Sequence, residues 1–311
     1  MKQVMSLKEI EDRPKWLAMR KHGIGGSEIA AIAGISKWSS PLDVWAVKTG
    51  KVSGEQPDNN AMYWGRKLEA SVADWFSETT GKKALRAGMY ADDFYDFFLA
   101  TPDRLIAGES AGLEVKTASA YSMKEWENGK IPDAYMLQVQ WYMGVMDFEK
   151  YYVAALIGGN TPLWYEVERD EKMIRNLRDI GLEFWGHVVD GTPPNNLCCN
   201  TENTEKLLEV LYPGRNKNVV QLDKDLEGVV MNLVDVNEQI KALKDYKEEL
   251  ENTLKQALGN NEVGSVGSWQ VCWKNSKRSV FDSKRFRQEN PDIWNLYTQG
   301  EEFRRFSLKK I

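Results

Sequence analysis

Residues 101–119, TPDRLIAGESAGLEVKTAS, form two short apolar runs joined by a small-residue turn, yet Asp103, Glu114 and Lys116 stand in or against those runs. Two carboxylates and an ammonium at strand positions are costly unless they are paired or used. Side chains alternate faces along a strand, so Glu114 and Lys116, two residues apart, point to the same side of a sheet. If Asp103 on the neighbouring strand faces that way too, both carboxylates converge on one metal position, with the Lys116 ammonium beside it. Hard oxygen ligands on a rigid support, and a cation near an attacking water, are what Mg²⁺-assisted phosphodiester hydrolysis requires. The same spacing, D-x₁₀-E-x-K, also describes an exposed hairpin with a cross-strand ion pair. The motif by itself leaves both readings open.

Composition narrows the chemistry. The 311 residues are 42% hydrophobic, enough for one substantial core plus an appendage. There are only two histidines, His22 and His187, and three cysteines, Cys198, Cys199 and Cys272. That set argues against a His-rich zinc site, a Ser-His-Asp hydrolase, a disulfide framework and a metal knuckle. Hydrolysis in this chain would therefore run on carboxylates and oxygen-seeking metals. The net charge is −5, but Lys274–Ile311 carries ten Lys/Arg against five Asp/Glu. The preceding residues are correspondingly acidic, as a cation site demands. The longest apolar stretches fall well short of a membrane span, and the N-terminal MKQVMSLKEIEDRPKW has no apolar signal core. The expectation is a soluble, cytoplasmic protein without membrane contact.

Two regions are expected, 1–215 and 216–311. In the first, GIGGSEIAAIAG (23–34) offers a Gly-rich turn and a short helix with Ser27 as N-cap. YWGRKLEASVADWFSETTG (63–81) reads as a helix with Leu68, Val72, Trp75 and Phe76 on one face and Gly81 as C-cap. DFFLATPDRLIA and AGLEVKTA read as a strand pair, DAYMLQVQWYMGVMD (133–147) as a helix, YYVAALIGG as a strand and 170–191 as an amphipathic helix. In the second region, Leu226, Val229, Leu233, Val236, Ile240, Leu243, Lys247, Leu250, Leu254 and Ala257 follow alternating steps of three and four, a heptad seam. A strand through Trp269, Val271 and Trp273, a capped helix in FDSKRFRQENPDIWNLY and a final basic strand in RRFSLKK would complete a helical arm with a small α/β cap.

Glu69 on the upstream helix, Pro102-Asp103, Glu114-Val115-Lys116, and Gln138-x-x-x-Tyr142 on the downstream helix follow one another in a specific order. In that order they resemble the PD-(D/E)xK nuclease superfamily in its RecB-like branch. Arg20 through GIGGSEIAAIAG is similar to the YqaJ-type viral recombinase family, which includes phage lambda exonuclease. The resemblance spans residues 13 to about 190. It implies an α/β, restriction-endonuclease-like core, a central mixed sheet flanked by helices, with the C-terminal region as an addition.

Residue by residue, the resemblance implies that Asp103, Glu114 and the Val115 carbonyl hold Mg²⁺, with Mn²⁺ as a substitute. Glu69 would serve a second ion or its water, Lys116 would be the catalytic lysine, and Gln138 would position Lys116 or the metal-bound water. Tyr142 would support the helix or touch DNA, while Arg20, Ser27 and Thr101 would grip a terminal 5′-phosphate. Asp92 and Asp93 would offer an outer carboxylate. Trp16, Trp38, Trp64 and Trp126, near loops, are candidates for stacking on bases. The implied activity is a metal-dependent 5′→3′ exonuclease on linear double-stranded DNA that leaves 3′ tails for recombination by strand annealing. Partners would be DNA ends, two further copies in a ring trimer, and a single-strand annealing protein. The alternatives are a sequence- or structure-specific endonuclease on the same core, or a non-catalytic DNA-end-binding scaffold.

Overall fold

A computed structural model describes residues 1–54, 59–194, 207–208, 211–212, 218–298 and 305–310. Cys198, Cys199, Arg304 and the 215/216 boundary lie outside the described residues. The chain divides into two compact units, Met1–Pro213 and Gly214–Ile311. Among the described residues, no helix is long and apolar enough to cross a membrane.

The first unit runs β1 (Lys2–Met5), α1 (Leu7–Ile10), α2 (Arg13–Lys21), β2 (Ile24–Gly25), α3 (Gly26–Ile32), α4 (Pro41–Lys48), α5 (Asn60–Thr80), β3 (Ala84–Arg86), β4 (Met89–Ala91), β5 (Phe98–Ala100), β6 (Arg104–Ile106), β7 (Ala111–Ala118), α6 (Asp133–Met146), β8 (Lys150–Ile157), β9 (Thr161–Glu168) and α7 (Glu171–Asp190). A five-stranded sheet has the order β3-β6-β7-β8-β9, antiparallel except for the parallel β7–β8 pair; a four-stranded sheet has the order β1-β4-β5-β2. The anticipated strand through residues 96–107 is two strands, one in each sheet. Pro102 has no N–H to continue a ladder, and the chain crosses between sheets there. The alternating segment at 161–168, which pairs with β8 along its whole length, was not anticipated from the sequence.

Two helices cover the five-stranded sheet for different reasons. α5 is amphipathic and buries Val72, Ala73 and Phe76; Asn59 caps its start and Gly81, at φ 71°, its end. α6 is apolar nearly all round and is buried from Leu137 to Met146. Gly144 allows α7 to approach it: a Cβ there would stand 2.8 Å from Ile174 Cγ2.

Among its described residues the second unit contains one long helix, α8 (Glu227–Leu258), a hairpin of β10 (Val263–Val266) and β11 (Trp269–Cys272), and two short helices, α9 (Ser283–Glu289) and α10 (Pro291–Tyr297). The single helix anticipated for 281–297 is broken at Pro291, and residues 305–310 form no strand. Cys272 is exposed and unpaired among the described residues.

Phe76 is fully buried and touches Tyr152 and Trp164 with its ring. Phe76→Ala is expected to cost about 3–5 kcal/mol in denaturant unfolding, because the sheet beneath α5 cannot close the void. A cost below about 1 kcal/mol would show that α5 is not fixed by this contact.

Candidate active site

Strand β7 sets out the site. Its residues Ala111, Leu113 and Val115 pack with Val72, Ala73 and Phe76 of α5. Period-two alternation therefore turns Gly112, Glu114 and Lys116 to the opposite face, toward α6. There Lys116 Nζ donates to Glu114 Oε1 at 2.6 Å and to Gln138 Oε1 at 3.0 Å. Gln138 Nε2 donates to the same Glu114 oxygen at 2.7 Å and to the Tyr142 hydroxyl at 3.1 Å. Gln138 and Tyr142, four apart on α6, thus reach the strand together. The Lys116 ammonium also lies 4.7 Å over the Tyr135 ring.

Asp103 stands at the bend before β6, where its Oδ2 accepts the Val115 N–H at 2.7 Å. Val115 is thus tied to Asp103 while its neighbours hold the ion pair. Glu69 approaches from α5, but its Oε1 receives Arg104 Nη1 at 2.6 Å, and the same guanidinium nitrogen donates to the Asp103 carbonyl. Arg104 carried no signal in the sequence beyond its place next to Asp103. It holds Glu69 aside, and among the described residues no three His, Cys, Asp or Glu side chains are already gathered as a metal cage.

Electrostatics mark the spot nonetheless. Burial, then repulsion from Glu114 and Glu69, pushes the Asp103 carboxyl well above the ordinary range. Burial also raises Glu114, against the pull of Lys116. Burial works against the Lys116 charge, but Glu114 and Asp103 outweigh it and hold the ammonium above the usual lysine range. Among the described residues, Glu114 Oε2 and the Tyr151 hydroxyl are the buried side-chain polar atoms without a partner. Both belong to this site: a Cβ on Gly112 would meet the Tyr151 ring at 2.5 Å. Two clustered carboxylates and an orphaned carboxylate oxygen are a set that a hard divalent cation satisfies.

The phosphate-binding candidates form a second group. Arg20 Nη2 donates to Ser27 Oγ at 3.0 Å and to Glu28 Oε1 at 2.9 Å, with its guanidinium 4.8 Å from the Trp16 ring. Glu28 is held in turn by the buried Lys48 at 2.8 Å, a pairing that no spacing announced. Ser27 is not the cap of α3. Gly25 occupies that position and its N–H goes to Glu28, which frees the exposed Ser27 hydroxyl for Arg20. Strands β2 and β5 are parallel with Gly25 opposite Leu99, so Ser27 and the half-buried Thr101 each follow two residues beyond that pair. Gly26 joins the two groups: a Cβ there would stand 2.4 Å from Tyr142 Cε1.

Two other expectations fail. Asp92 is buried, paired with Arg178 and accepting the N–H groups of Phe94 and Tyr95, while Asp93 pairs with the N-terminal amine. Asp92 is therefore not free to serve a cation. Trp126 is a core residue at 1% exposure, with its carbonyl taken by Tyr165, so it cannot stack on a base. Trp38 and Trp64 are exposed.

Residues 15–149 match the YqaJ-like viral recombinase domain. A protein of Bacillus subtilis (strain 168), described as the uncharacterized protein YqaJ, is 36% identical over 302 residues, covering 96% of this chain and 95% of its own. An alkaline exonuclease from Laribacter hongkongensis superposes with a TM-score of 0.51 at 20% identity, over 57% of this chain and 93% of that one. A second structure of that exonuclease, in complex with dAMP, matches equally. The fold is the PD-(D/E)xK-type α/β fold anticipated from the sequence.

Two predictions follow from the geometry. In EDTA at neutral pH, Asp103→Asn is expected to raise the melting temperature, because burial and the neighbouring Glu114 and Glu69 disfavour the Asp103 charge. It removes a repelled, half-buried charge yet keeps an oxygen for the Val115 N–H. A lower melting temperature than wild type in calorimetry would contradict this. Gly26→Ala should displace the Tyr142 ring and with it Gln138; an unchanged Tyr142 environment in NMR spectra would contradict that contact.

Proposed function

This chain belongs to the YqaJ-like viral recombinase family, and from that premise we propose that it is a divalent-metal-dependent deoxyribonuclease that degrades linear duplex DNA from 5′-phosphorylated ends, leaving 3′ single-stranded tails. The observation that carries the reading is the Lys116 ammonium, fixed between Glu114 and Gln138 and next to Asp103 and a carboxylate oxygen without a partner. A structural ion pair would have no reason to leave that buried oxygen bare.

Asp103, Glu114 and the Val115 carbonyl would hold Mg²⁺ or Mn²⁺, and Glu69 would join them, or hold a second ion, on releasing Arg104. Such a cation supplies a Lewis acid for the scissile phosphate. The chain's own residues do the rest. Gln138 fixes the rotamer of Lys116 through its amide oxygen and the basicity of Glu114 through its amide nitrogen. The Lys116 ammonium is pre-aimed at charge that develops on the non-bridging phosphate oxygens. Arg20, steadied by Glu28 and stacked on Trp16, presents a guanidinium beside the Ser27 hydroxyl, a pairing suited to a terminal phosphate. Thr101 adds a hydroxyl near Asp103 in sequence, so an anchored end and the cutting position would stand in fixed register. The family resemblance further leads us to expect a ring of three chains around DNA, acting in the cytoplasm of a bacterial cell and passing the 3′ tail to an annealing protein.

The test compares linear duplex DNA with a 5′-phosphate, the same DNA with a 5′-hydroxyl, and a closed circle, each with Mg²⁺ or EDTA. The expected result is mononucleotide release from the phosphorylated linear DNA, slower release from the 5′-hydroxyl DNA and none in EDTA. Nicking of the circle would make the protein an endonuclease, and no hydrolysis with retained end binding would make it a scaffold. Lys116→Ala should lower the rate by roughly 10²–10³-fold, the scale of a lost electrostatic donor, with DNA binding little changed. A near wild-type rate would remove Lys116 from the mechanism.

A further inference from the structure

Helix α8 is 32 residues long and bears the heptad seam from Leu226 to Ala257 almost entirely exposed: Val229 is 60% and Leu243 66% accessible, and Val236, Ile240, Leu250 and Leu254 are also open. Only Leu258 at its end is buried, against Gly264 of the hairpin. A soluble helix does not keep such a stripe in water without a partner. We propose that this helix pairs with the same helix of a second copy of this chain, as an antiparallel two-stranded coiled coil with its two-fold axis between Lys241 and Ala242.

The period identifies the kind of partner. Apolar residues recur every 3.5 residues over more than four heptads, whereas a helix lying on a globular surface follows 3.6. A strict 3.5 repeat keeps its seam aligned only with another supercoiling helix. The second unit contains no other helix of that length among the described residues; α9 and α10 have seven residues each. A second copy supplies one automatically.

The seam also chooses the orientation. Lys247 occupies a core position, with its ammonium reaching Glu251 of its own helix at 3.0 Å. In a parallel dimer the two Lys247 side chains would face each other across the seam. In the antiparallel register centred at 241–242, all ten seam positions find an opposite number: Ile240 meets Leu243, Leu233 meets Leu250, and Lys247 meets Val236, alongside which its stem can lie while the charge stays at the rim. The flanking rows place no like charges together, since Lys244 falls beside Asn237 and Glu251 beside Val230. The outer face, with Glu238, Lys241, Asp245 and Glu248, remains polar and solvated. A 32-residue helix is about 48 Å long and about 10 Å wide, so full overlap covers roughly 1,000 Å² in total, about the lower limit for a biological interface.

The full chain is the material for the test, by light scattering and sedimentation. Wild type is expected to show twice the mass of Ile240→Asp/Leu243→Asp, whatever number of chains the nuclease unit itself brings together. Both substituted side chains are exposed in the single chain, so far-ultraviolet circular dichroism should show the helix retained in the variant. Equal masses would overturn the pairing. Orientation is read in a background with Cys198, Cys199 and Cys272 replaced by Ser. Leu233→Cys mixed with Leu250→Cys should cross-link between chains on oxidation, while Leu233→Cys alone should not. Cross-linking of Leu233→Cys with itself would overturn the antiparallel arrangement.

Discussion

The ion pair of Glu114 and Lys116, shared through Gln138, is the constraint around which the first unit is arranged. Two opposite charges on one strand face, inside a sheet, need every donor and acceptor accounted for. The strand can carry them because its other face is apolar from Ala111 through Leu113 to Val115 and packs on α5 at Phe76, while α6 supplies an amide that satisfies both partners at once. One carboxylate oxygen is left over. On the proposed reading, that remainder, with the raised proton affinity of Asp103, would mark a site open to a cation rather than a closed salt bridge.

The close approaches carry this arrangement outward. Gly112 lets Tyr151 press against the strand, and Gly26 lets the β2–α3 turn press against Tyr142, so the turn bearing Ser27 is positioned by the same helix that bears Gln138. The buried Lys48 and the half-buried Glu28 and Arg20 then form a relay of charge that orients the guanidinium. On the proposed reading, an anchoring group for one phosphate and a reactive group for the next would be registered by a single helix, α6. Arg104 stands between Asp103 and Glu69 as the element that must shift if Glu69 is to contribute.

Much of this was legible in the sequence because it rests on short-range periodicity. The two-residue step placed Glu114 and Lys116 on one face, the four-residue step placed Gln138 beside Tyr142, and the apolar face and Gly81 cap of α5 were readable in the chain. What was missed depends on tertiary partners. The transfer of the chain from one sheet to the other at Pro102 looks like a continuing strand until the second sheet exists. Ser27 looked like a cap, but Glu28 and Gly25 take that role and release it. Asp92 reads as a free acid because its partner Arg178 lies far along the chain, and Trp126 reads as a loop residue because its burial comes from α6. The role of Lys48 had no local signature at all.

The central claim is that Glu114 and Asp103 are held in readiness for a divalent cation. The most direct measurement is Mn²⁺ binding, followed by electron paramagnetic resonance of the free ion, in wild type and in Glu114→Gln. The account predicts stoichiometric binding to wild type, displaced by Mg²⁺, and its loss in the folded variant. Equal binding by both proteins would mean that the orphaned carboxylate oxygen is not where the metal goes.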